Sequence, residues 1–186
     1  MTSLPTLVVI SGPPASGKTT LAHKIAEAVG CPAICRDEIK EGMVHATPGF
    51  VSGPADELTA RTLPTFFGVL ELLLRAGVTT VAEAAFQDRL WRPGLEPLRD
   101  LALFRIVHCV VDAEVAFERG QRRIERNPLR LAHADPVLGN AEEYTRRHRA
   151  FDRVSADAPW IEIDTTDGYQ PGLAHVVAFV NDRHYR

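Results

Sequence analysis

Residues 12–19 combine glycines, a lysine and a threonine at a spacing that suits the binding of phosphate groups. They read Gly-Pro-Pro-Ala-Ser-Gly-Lys-Thr and directly follow the apolar run 7–10. Glycines let backbone N–H groups converge on phosphates, the Lys18 ammonium follows the β- and γ-phosphate charge, and the Thr19 hydroxyl can ligate Mg²⁺. The segment therefore predicts a site for a nucleoside triphosphate and Mg²⁺. Its predicted nucleotide-binding residues are Gly12, Pro13, Pro14, Ala15, Ser16, Gly17, Lys18, Thr19 and Thr20.

Acidic residues follow apolar, β-rich runs at three places in the chain. Asp37 comes after the run 33–35, and Glu83 ends the run 78–82. Open α/β sheets bind ligands at the carboxyl ends of their strands, so we expect both residues at one edge. Glu83 is expected to serve Mg²⁺, more readily through a water, or to hold the acceptor. Asp37 is the leading acceptor-side residue, although it could also cap a helix. Asp112 is the alternative metal-binding acid, but a helix cap is its favoured role.

Basic residues concentrate in the second half of the chain. Nine of the 18 arginines lie between positions 119 and 153. Arginines that recur at i, i+3, i+4 and i+7 share one helix face, and their planar guanidinium groups suit phosphate oxygens. The alternative is a solvated face on which Glu118 and Glu125 neutralise the arginines. The four residues of this face are Arg119, Arg122, Arg123 and Arg126.

Composition limits the class of protein. The chain has 186 residues, 45% of them apolar and 24% charged, which predicts a single domain over 1–186. Its net charge of −3 argues against a general nucleic-acid-binding protein. No apolar run reaches the roughly 18 residues of a membrane span, and no leader is seen, so we expect a cytoplasmic protein. Zinc would need Cys31 and Cys35 to join His108 and Cys109, and buried thiols are the favoured alternative. The sequence leaves the oligomeric state open.

Apolar, β-rich runs alternate with segments of helical periodicity, which predicts a parallel α/β sheet. The predicted strands are 7–10, 33–35, 78–82, 104–111 and 160–163. The predicted helices are 18–29, 37–45, 56–75, 92–101, 113–126, 141–154 and 172–181. Pro64 should kink or restart the third helix. A basic, proline-interrupted region at about 125–142 is expected to form a lid, in which His133 could contact phosphate or be an ordinary loop residue.

Several of these segments, taken in order, resemble the small P-loop kinases. The phosphate loop is followed by Cys-Arg-Asp-Glu-Ile-Lys at 35–40, by Val-Ala-Glu at 81–83 and by Val-Asp at 111–112 before the arginine-rich helix. This order is similar to that of the adenylate kinase-like phosphotransferases, which include gluconate kinase, chloramphenicol phosphotransferase, polynucleotide kinase and zeta toxins. A group labelled AAA-family ATPase shares the Asp-Glu-Ile-Lys-Glu segment. The resemblance implies a three-layer P-loop NTPase sandwich, with a five-stranded parallel sheet, helices on both faces and an Arg-rich lid.

The resemblance also implies roles for individual residues. In the chloramphenicol phosphotransferase-like and zeta-toxin-like kinases, an aspartate at the place of Asp37 accepts the proton of the substrate hydroxyl. Arg119 and Arg123 would lie nearest the nucleotide, Arg119 and Arg126 would contact it, and Arg126 and Arg130 would belong to the lid. The expected catalytic residues are Lys18, Asp37, Arg119 and Arg123.

The acceptor pocket is expected around 37–61 and 86–92, beyond the two acidic strand ends. Aromatic residues in and near these segments favour a hydrophobic hydroxylated small molecule, unless they simply form core. These residues are Phe50, Phe66, Phe67, Phe86 and Trp91.

The function expected from these features is transfer of the γ-phosphoryl group of ATP to a hydroxyl of a small molecule, an antibiotic or a metabolite. ATP is preferred to GTP because the segment around 160–166 lacks the guanine-binding signature of GTPases. Two alternatives stay open. One is a polynucleotide or nucleoside kinase, whose binding would weaken with salt, and the other is a non-catalytic ATP-dependent switch or partner-binding module.

Overall fold

The computed structural model describes residues 4–53, 55–126, 132–133, 140–155 and 157–182, without the side chains of residues 124 and 126. The strands are β1 (Thr6–Ser11), β2 (Ala33–Cys35), β3 (Thr80–Glu83), β4 (Leu103–Val110) and β5 (Trp160–Asp164). The helices are α1 (Lys18–Val29), α2 (Arg36–His45), α3 (Glu57–Arg75), α4 (Asp88–Leu95), α5 (Ala113–Arg126), α6 (Ala141–Arg149) and α7 (Leu173–Asn181), with a 3₁₀ helix at Glu96–Leu98. The five strands are parallel and lie in the order β2-β3-β1-β4-β5.

Helices cover both faces of this sheet because successive strand residues point to opposite sides. Leu7 and Val9 of β1 belong to the core cluster that contains the buried side chains of α3 and α4. Val8 and Ile10 belong to the cluster that contains those of α1 and α7. All four β1 residues are fully buried. The predicted three-layer α/β sandwich with a five-stranded parallel sheet is therefore confirmed.

The third predicted helix runs through Pro64 as one element, so the predicted restart is wrong. Proline removes one backbone hydrogen bond and costs about 3 kcal/mol in a helix interior. Phe66, Leu70 and Leu74 follow it at helical spacing and are buried in the core. Burying each such side chain is worth about 1.5 to 3 kcal/mol, which outweighs the cost of the proline.

Other differences from the sequence expectations concern the ends of helices. The helix predicted at 92–101 is instead α4, which begins at Asp88, followed by the 3₁₀ helix. α6 ends at Arg149 rather than at 154. Among the helices of the described ranges, none has the length and apolar character needed to cross a membrane.

The predicted lid at about 125–142 lies largely outside the described residues, and Arg130 and Asp135 are among those outside. The side chain of Arg126 is likewise not described. His133 and the start of α6 are the parts of this region whose contacts the structure gives.

A buried ion pair holds α2 against the start of α3. Lys40 Nζ lies 2.8 Å from Asp56 Oδ2 and 2.6 Å from Thr59 Oγ1, and its side chain is 3% exposed. Asp56 caps α3 by accepting the Thr59 N–H at 2.7 Å, and it also accepts the Gly53 N–H. Burial raises the pKa of Asp56, but these hydrogen bonds, led by that of Lys40, outweigh it and hold the pKa well below its usual range. The pair thereby fixes the helix that carries Asp37.

We expect Lys40→Met to lower the Tm by about 6 to 12 °C at neutral pH, because it leaves the Asp56 carboxylate without its cation. Asp56 has a lowered folded pKa, so its contribution to stability is present above its unfolded pKa of about 3.9 and is lost as pH falls through the folded value. The difference between the two proteins should therefore shrink in acid. Thermal unfolding followed by circular dichroism measures it.

Lys24→Met, at an exposed lysine of α1, is the matched control. Lys24 Nζ lies 5.0 Å from the centroid of the Tyr169 ring, and an exposed contact of this kind is worth about 0.5 to 1 kcal/mol, so this variant should lower the Tm much less than Lys40→Met does. A Lys40→Met protein as stable as wild type at neutral pH would show that the ion pair does not hold α2 in place.

Candidate active site

The phosphate loop joins β1 to α1 through a backbone that favours small residues. Gly12, Ala15 and Gly17 have φ angles of 155°, 59° and 74°. A Cβ atom at Gly12 would lie 2.5 Å from the carbonyl oxygen of Cys109 on β4. Any larger residue at position 12 would therefore force the loop away from β4. This close approach fixes the loop against the end of the neighbouring strand.

The polar groups of the loop suit an anionic ligand. Lys18 Nζ donates to the carbonyl oxygen of Pro13 at 2.8 Å, and its ammonium has further N–H donors for phosphate oxygens. Ser16 Oγ is buried and, in the part that the structure describes, has no hydrogen-bond partner. The first turn of α1, which includes exposed Thr20, offers the unpaired backbone N–H groups of a helix N-terminus. The loop therefore fits the phosphates of a nucleotide.

Glu83 is a buried carboxylate at the end of β3, and it is 4% exposed. Thr19 Oγ1 donates to Glu83 Oε2 at 3.2 Å. Burial raises the pKa of Glu83, Lys18 lowers it, Asp37 raises it further, and the Thr19 hydrogen bond and Arg123 lower it. The net direction is upward. Because each of these groups acts on the one carboxyl, the structure brings the predicted acidic and basic residues into a single neighbourhood.

The Thr19 hydroxyl and the Glu83 carboxylate fit a magnesium ion. Mg²⁺ binds oxygen ligands at about 2.0 to 2.1 Å in an octahedron, which places neighbouring ligand atoms about 2.9 Å apart. Thr19 Oγ1 and Glu83 Oε2 lie 3.2 Å apart, close to that spacing. A divalent cation would also offset the cost of burying the carboxylate charge.

Asp37 lies in the first turn of α2 and does not cap it. The N-cap of α2 is Cys35, so the alternative that Asp37 serves as a cap is wrong; the helix starts one residue earlier than predicted, at Arg36. Arg36 Nη1 donates to Asp37 Oδ1 at 3.0 Å. The Asp37 side chain is 34% exposed, and its charge acts on Glu83. Asp37 is therefore near enough to Glu83 for its charge to act on that carboxyl, and its side chain stays accessible to a ligand.

Asp112 takes the structural role that the sequence favoured. Its Oδ1 accepts the backbone N–H groups of Glu114 at 2.8 Å and Val115 at 3.2 Å, which caps the start of α5. These two hydrogen bonds engage the carboxylate at the helix end.

Of the four arginines predicted to share one face of α5, the three whose side chains the structure describes do not act as one group. Arg119 Nη2 donates to the carbonyl oxygens of Thr165 at 2.8 Å and Thr166 at 3.0 Å, in the loop after β5. Arg122 forms an exposed ion pair with Glu118, as the alternative of a solvated face predicted. The positive charge of Arg123 lowers the pKa of the buried Glu83. The side chain of Arg126 lies outside the described part, so its predicted contact stays a prediction.

His133, from the predicted lid, contacts α2. Its Nε2 lies 3.0 Å from Glu41 Oε1, its Nδ1 lies 4.0 Å from Asp37 Oδ1, and its side chain is 5% exposed. On the other side of the loop, the hydroxyl of Tyr144 on α6 donates to the carbonyl oxygen of Pro14 at 3.2 Å. Segments that follow α5 thus reach both α2 and the phosphate loop.

A cavity of about 200 Å³ lies between the phosphate loop, the end of β4 and the end of α6. His108 and His148 line it, and the Nδ1 atom of each is buried and has no hydrogen-bond partner within the described ranges. Arg149 and Arg153 also line it. Burial, followed by the charge of Arg153, lowers the pKa of His108. The sequence did not predict this cavity because its residues come from separate elements that share no spacing pattern.

The expectation of an aromatic-lined acceptor pocket is wrong for four of its five aromatic residues, while Phe50 is half-buried outside their cluster. Phe66 and Phe86 are fully buried, and Trp91 is 8% exposed. Their rings pack on one another with centroids 4.9 to 5.9 Å apart, and Phe67 packs against the same cluster. These rings bury their aromatic surface in the core and do not offer it to a ligand. The alternative that they form core is therefore correct.

The sheet order, the loop between β1 and α1, and the buried acid at the end of β3 together define a P-loop protein with the fold of the small kinases. A family model described as an AAA domain (AAA_33) matches residues 7–157. The chain belongs to this AAA domain family. The predicted membership of the P-loop kinase group is thereby confirmed.

Individual relatives agree with this assignment. Shikimate kinase of Corynebacterium efficiens is 30% identical over 151 residues, or 80% of this chain and 83% of that protein. A candidate kinase from Chloroflexus aurantiacus has a TM-score of 0.84 at 22% identity, covering 99% of this chain and all of that one. Kti12 from Chaetomium thermophilum, solved with ADP-AlF3, has a TM-score of 0.64 at 17% identity, over 92% and 95% of the two chains. The structures show the fold, and the shikimate kinase relationship supports a nucleotide-binding kinase of small molecules.

We expect Glu83→Gln to raise the Tm of the nucleotide-free protein at mildly alkaline pH, because burying the ionised carboxylate opposes folding. The folded pKa of Glu83 is raised, so the advantage of the variant should grow as pH rises through that value. It should vanish below the unfolded pKa of about 4.3. Thermal unfolding over a pH series measures the difference in Tm between the two proteins. This difference should be about 2 to 4 °C for each kcal/mol that the variant gains in free energy of unfolding.

Glu96→Gln, at an exposed glutamate, controls for loss of a surface charge. A Glu83→Gln variant that matched wild type at every pH, or that gained stability only in acid, would contradict the assignment of Glu83 as a destabilising buried carboxylate.

Proposed function

We propose that this protein transfers the γ-phosphoryl group of ATP to a hydroxyl group of a small molecule. The observation that carries the proposal is the convergence of Lys18, Thr19, Asp37 and Glu83 at the carboxyl edge of the sheet. Phosphoryl transfer requires that the triphosphate be held, that its developing charge be neutralised and that the acceptor oxygen be placed in line. The loop and Lys18 supply the first two requirements, and Asp37 supplies the third.

In the proposed step, Asp37 accepts the proton of the acceptor hydroxyl. The acceptor oxygen bonds to the γ-phosphorus while the bond from that phosphorus to the β–γ bridging oxygen breaks, so ADP leaves with the electron pair. Lys18 stabilises the charge that gathers on the phosphate oxygens. When bound, Mg²⁺ neutralises part of the phosphate charge, and Thr19 and Glu83 are the residues that would hold it.

The two predicted catalytic arginines receive different proposed roles. Arg123, whose charge reaches Glu83, is the proposed partner of the transferring phosphate. Arg119 is proposed to hold the loop at Thr165 and Thr166, where the nucleotide base would lie. Arg126 remains a proposed nucleotide contact, and the region at about 125–142 a proposed lid of a single domain.

The proposed acceptor is a small hydroxylated molecule that carries an acid group. The relationship to shikimate kinase, whose named substrate is a hydroxylated acid, supports this choice.

A mass-spectrometric screen tests the proposal. The full chain is incubated with ATP, Mg²⁺ and pooled hydroxylated acids, and products are searched for the gain of one phosphoryl group. Asp37→Asn should lower kcat by about 10²- to 10⁴-fold with ATP affinity nearly unchanged. Lys18→Ala should lose turnover and bind nucleotide more weakly.

Asp100→Asn makes the same chemical change at an exposed site and is the matched control. Tight ATP binding with slow hydrolysis and no phosphorylated product would contradict the proposal and favour a nucleotide-dependent switch. Salt-sensitive phosphorylation of oligonucleotides would instead favour the polynucleotide kinase alternative.

A further inference from the structure

Three side chains that can bind a metal ion meet where α1, β2 and α2 come together. His23 lies on α1, Cys35 ends β2, and Glu38 lies in the first turn of α2. His23 Nε2 is 2.7 Å from Glu38 Oε1 and 3.8 Å from Cys35 Sγ. In the part of the chain that the structure describes, this is the one mixed group of such residues whose ligand atoms all lie within 4.8 Å of one another.

The separations among these atoms suit a tetrahedral ion of the zinc class. Bonds of about 2.3 Å to sulfur and about 2.0 to 2.2 Å to nitrogen and oxygen place neighbouring ligand atoms about 3.4 to 3.6 Å apart. The distance between Cys35 Sγ and His23 Nε2 is already close to this value. His23 Nε2 and Glu38 Oε1 would have to move from 2.7 Å to about 3.4 Å. Their side chains are 52% and 45% exposed and have room to do so.

Binding of a divalent ion at Cys35 requires that the thiol lose its proton. Cys35 is buried, and the carboxylates of Glu38 and Glu83 lie near its sulfur. A divalent ion replaces that proton: the metal–sulfur bond forms, the S–H bond breaks, and the proton passes to solvent. The positive charge of the ion compensates the negative charge of the thiolate. Without the ion, that charge would be unpaired beside the carboxylates of Glu38 and Glu83.

We propose that His23, Cys35 and Glu38 form a binding site for a zinc-class divalent ion, with water in the fourth position, and that the ion fastens α1 to α2. Asp37 directly precedes Glu38, so a bound ion fixes the part of α2 that carries it. The existence of the site does not depend on the proposed kinase activity. Magnesium does not suit it, because Mg²⁺ prefers oxygen ligands in an octahedron.

The sequence analysis did not identify this site because it considered His108 and Cys109 as the metal-binding partners of Cys35. His108 and Cys109 form an adjacent pair, whereas His23 and Cys35 lie on separate elements at a spacing that no common zinc motif uses. The nitrogen that the fold places beside Cys35 is that of His23.

Cobalt titration of the metal-stripped full chain tests the proposal, because Co²⁺ occupies zinc-type sites and gives a charge-transfer absorption when a thiolate coordinates it. We expect one equivalent of Co²⁺ to bind with this absorption, to be displaced by Zn²⁺ and to resist excess Mg²⁺. His23→Ala and Glu38→Gln should each weaken binding by more than about tenfold, since even an outer-sphere partner is worth about 10- to 100-fold. Cys35→Ser should remove the absorption.

Cys31→Ser and His175→Ala are matched controls at residues outside the site and should keep the absorption. Circular dichroism checks that each variant is folded. Because His23 and Glu38 are exposed, His23→Ala and Glu38→Gln test the site even if Cys35→Ser does not fold. A folded wild type without the charge-transfer absorption would overturn the proposal. So would an absorption that survives both His23→Ala and Glu38→Gln, or one that Cys31→Ser abolishes.

Discussion

The carboxylate of Glu83, buried at the end of β3 beside the Thr19 hydroxyl, is the constraint on which the rest of the site depends. An ionised carboxylate in a buried position costs stability unless a cation or strong hydrogen bonds offset that cost. Parallel pairing of β1 with β3 brings it to the phosphate loop, and the Lys18 ammonium partly offsets its charge. A magnesium ion shared with Thr19 would complete the compensation. The energetic cost of burying the Glu83 charge would thus contribute to affinity for the ion that the proposed phosphoryl transfer needs.

The other elements hold the groups around this carboxylate in fixed positions. On the β4 and β5 side, Gly12 packs against Cys109, and the Thr165 hydroxyl donates to the carbonyl oxygen of Ser16 at 2.9 Å. On the opposite side, the buried pair of Lys40 and Asp56 fixes α2. Catalysis by positioning requires such supports, because misplacement of a reacting group by about 1 Å can cost about 100-fold in rate.

The sequence predicted the features that are local in the chain and missed those that depend on contacts between elements. The loop at 12–19 and the strand ends at Glu83 and Asp112 were predictable, because each rests on a short motif or on apolar runs. Arg119 contacts the loop after β5, and His23 contacts Cys35. These contacts join residues that share no periodicity in the sequence. The aromatic residues near Phe86 were misplaced because apolar composition does not separate a core from a pocket. Pro64 was misjudged because burial of the following apolar stripe outweighs a local propensity.

The most direct test of the account is a crystal structure of the full chain with ADP, Mg²⁺ and aluminium fluoride as a mimic of the transferring phosphoryl group. We expect Lys18 to leave the carbonyl oxygen of Pro13 for the phosphates, and Thr19 and Glu83 to flank the metal ion. Asp37 should face the side of the mimic opposite ADP, where an acceptor oxygen would attack. A nucleotide bound elsewhere, or an Asp37 carboxylate turned away from the mimic with its acceptor side closed, would contradict it.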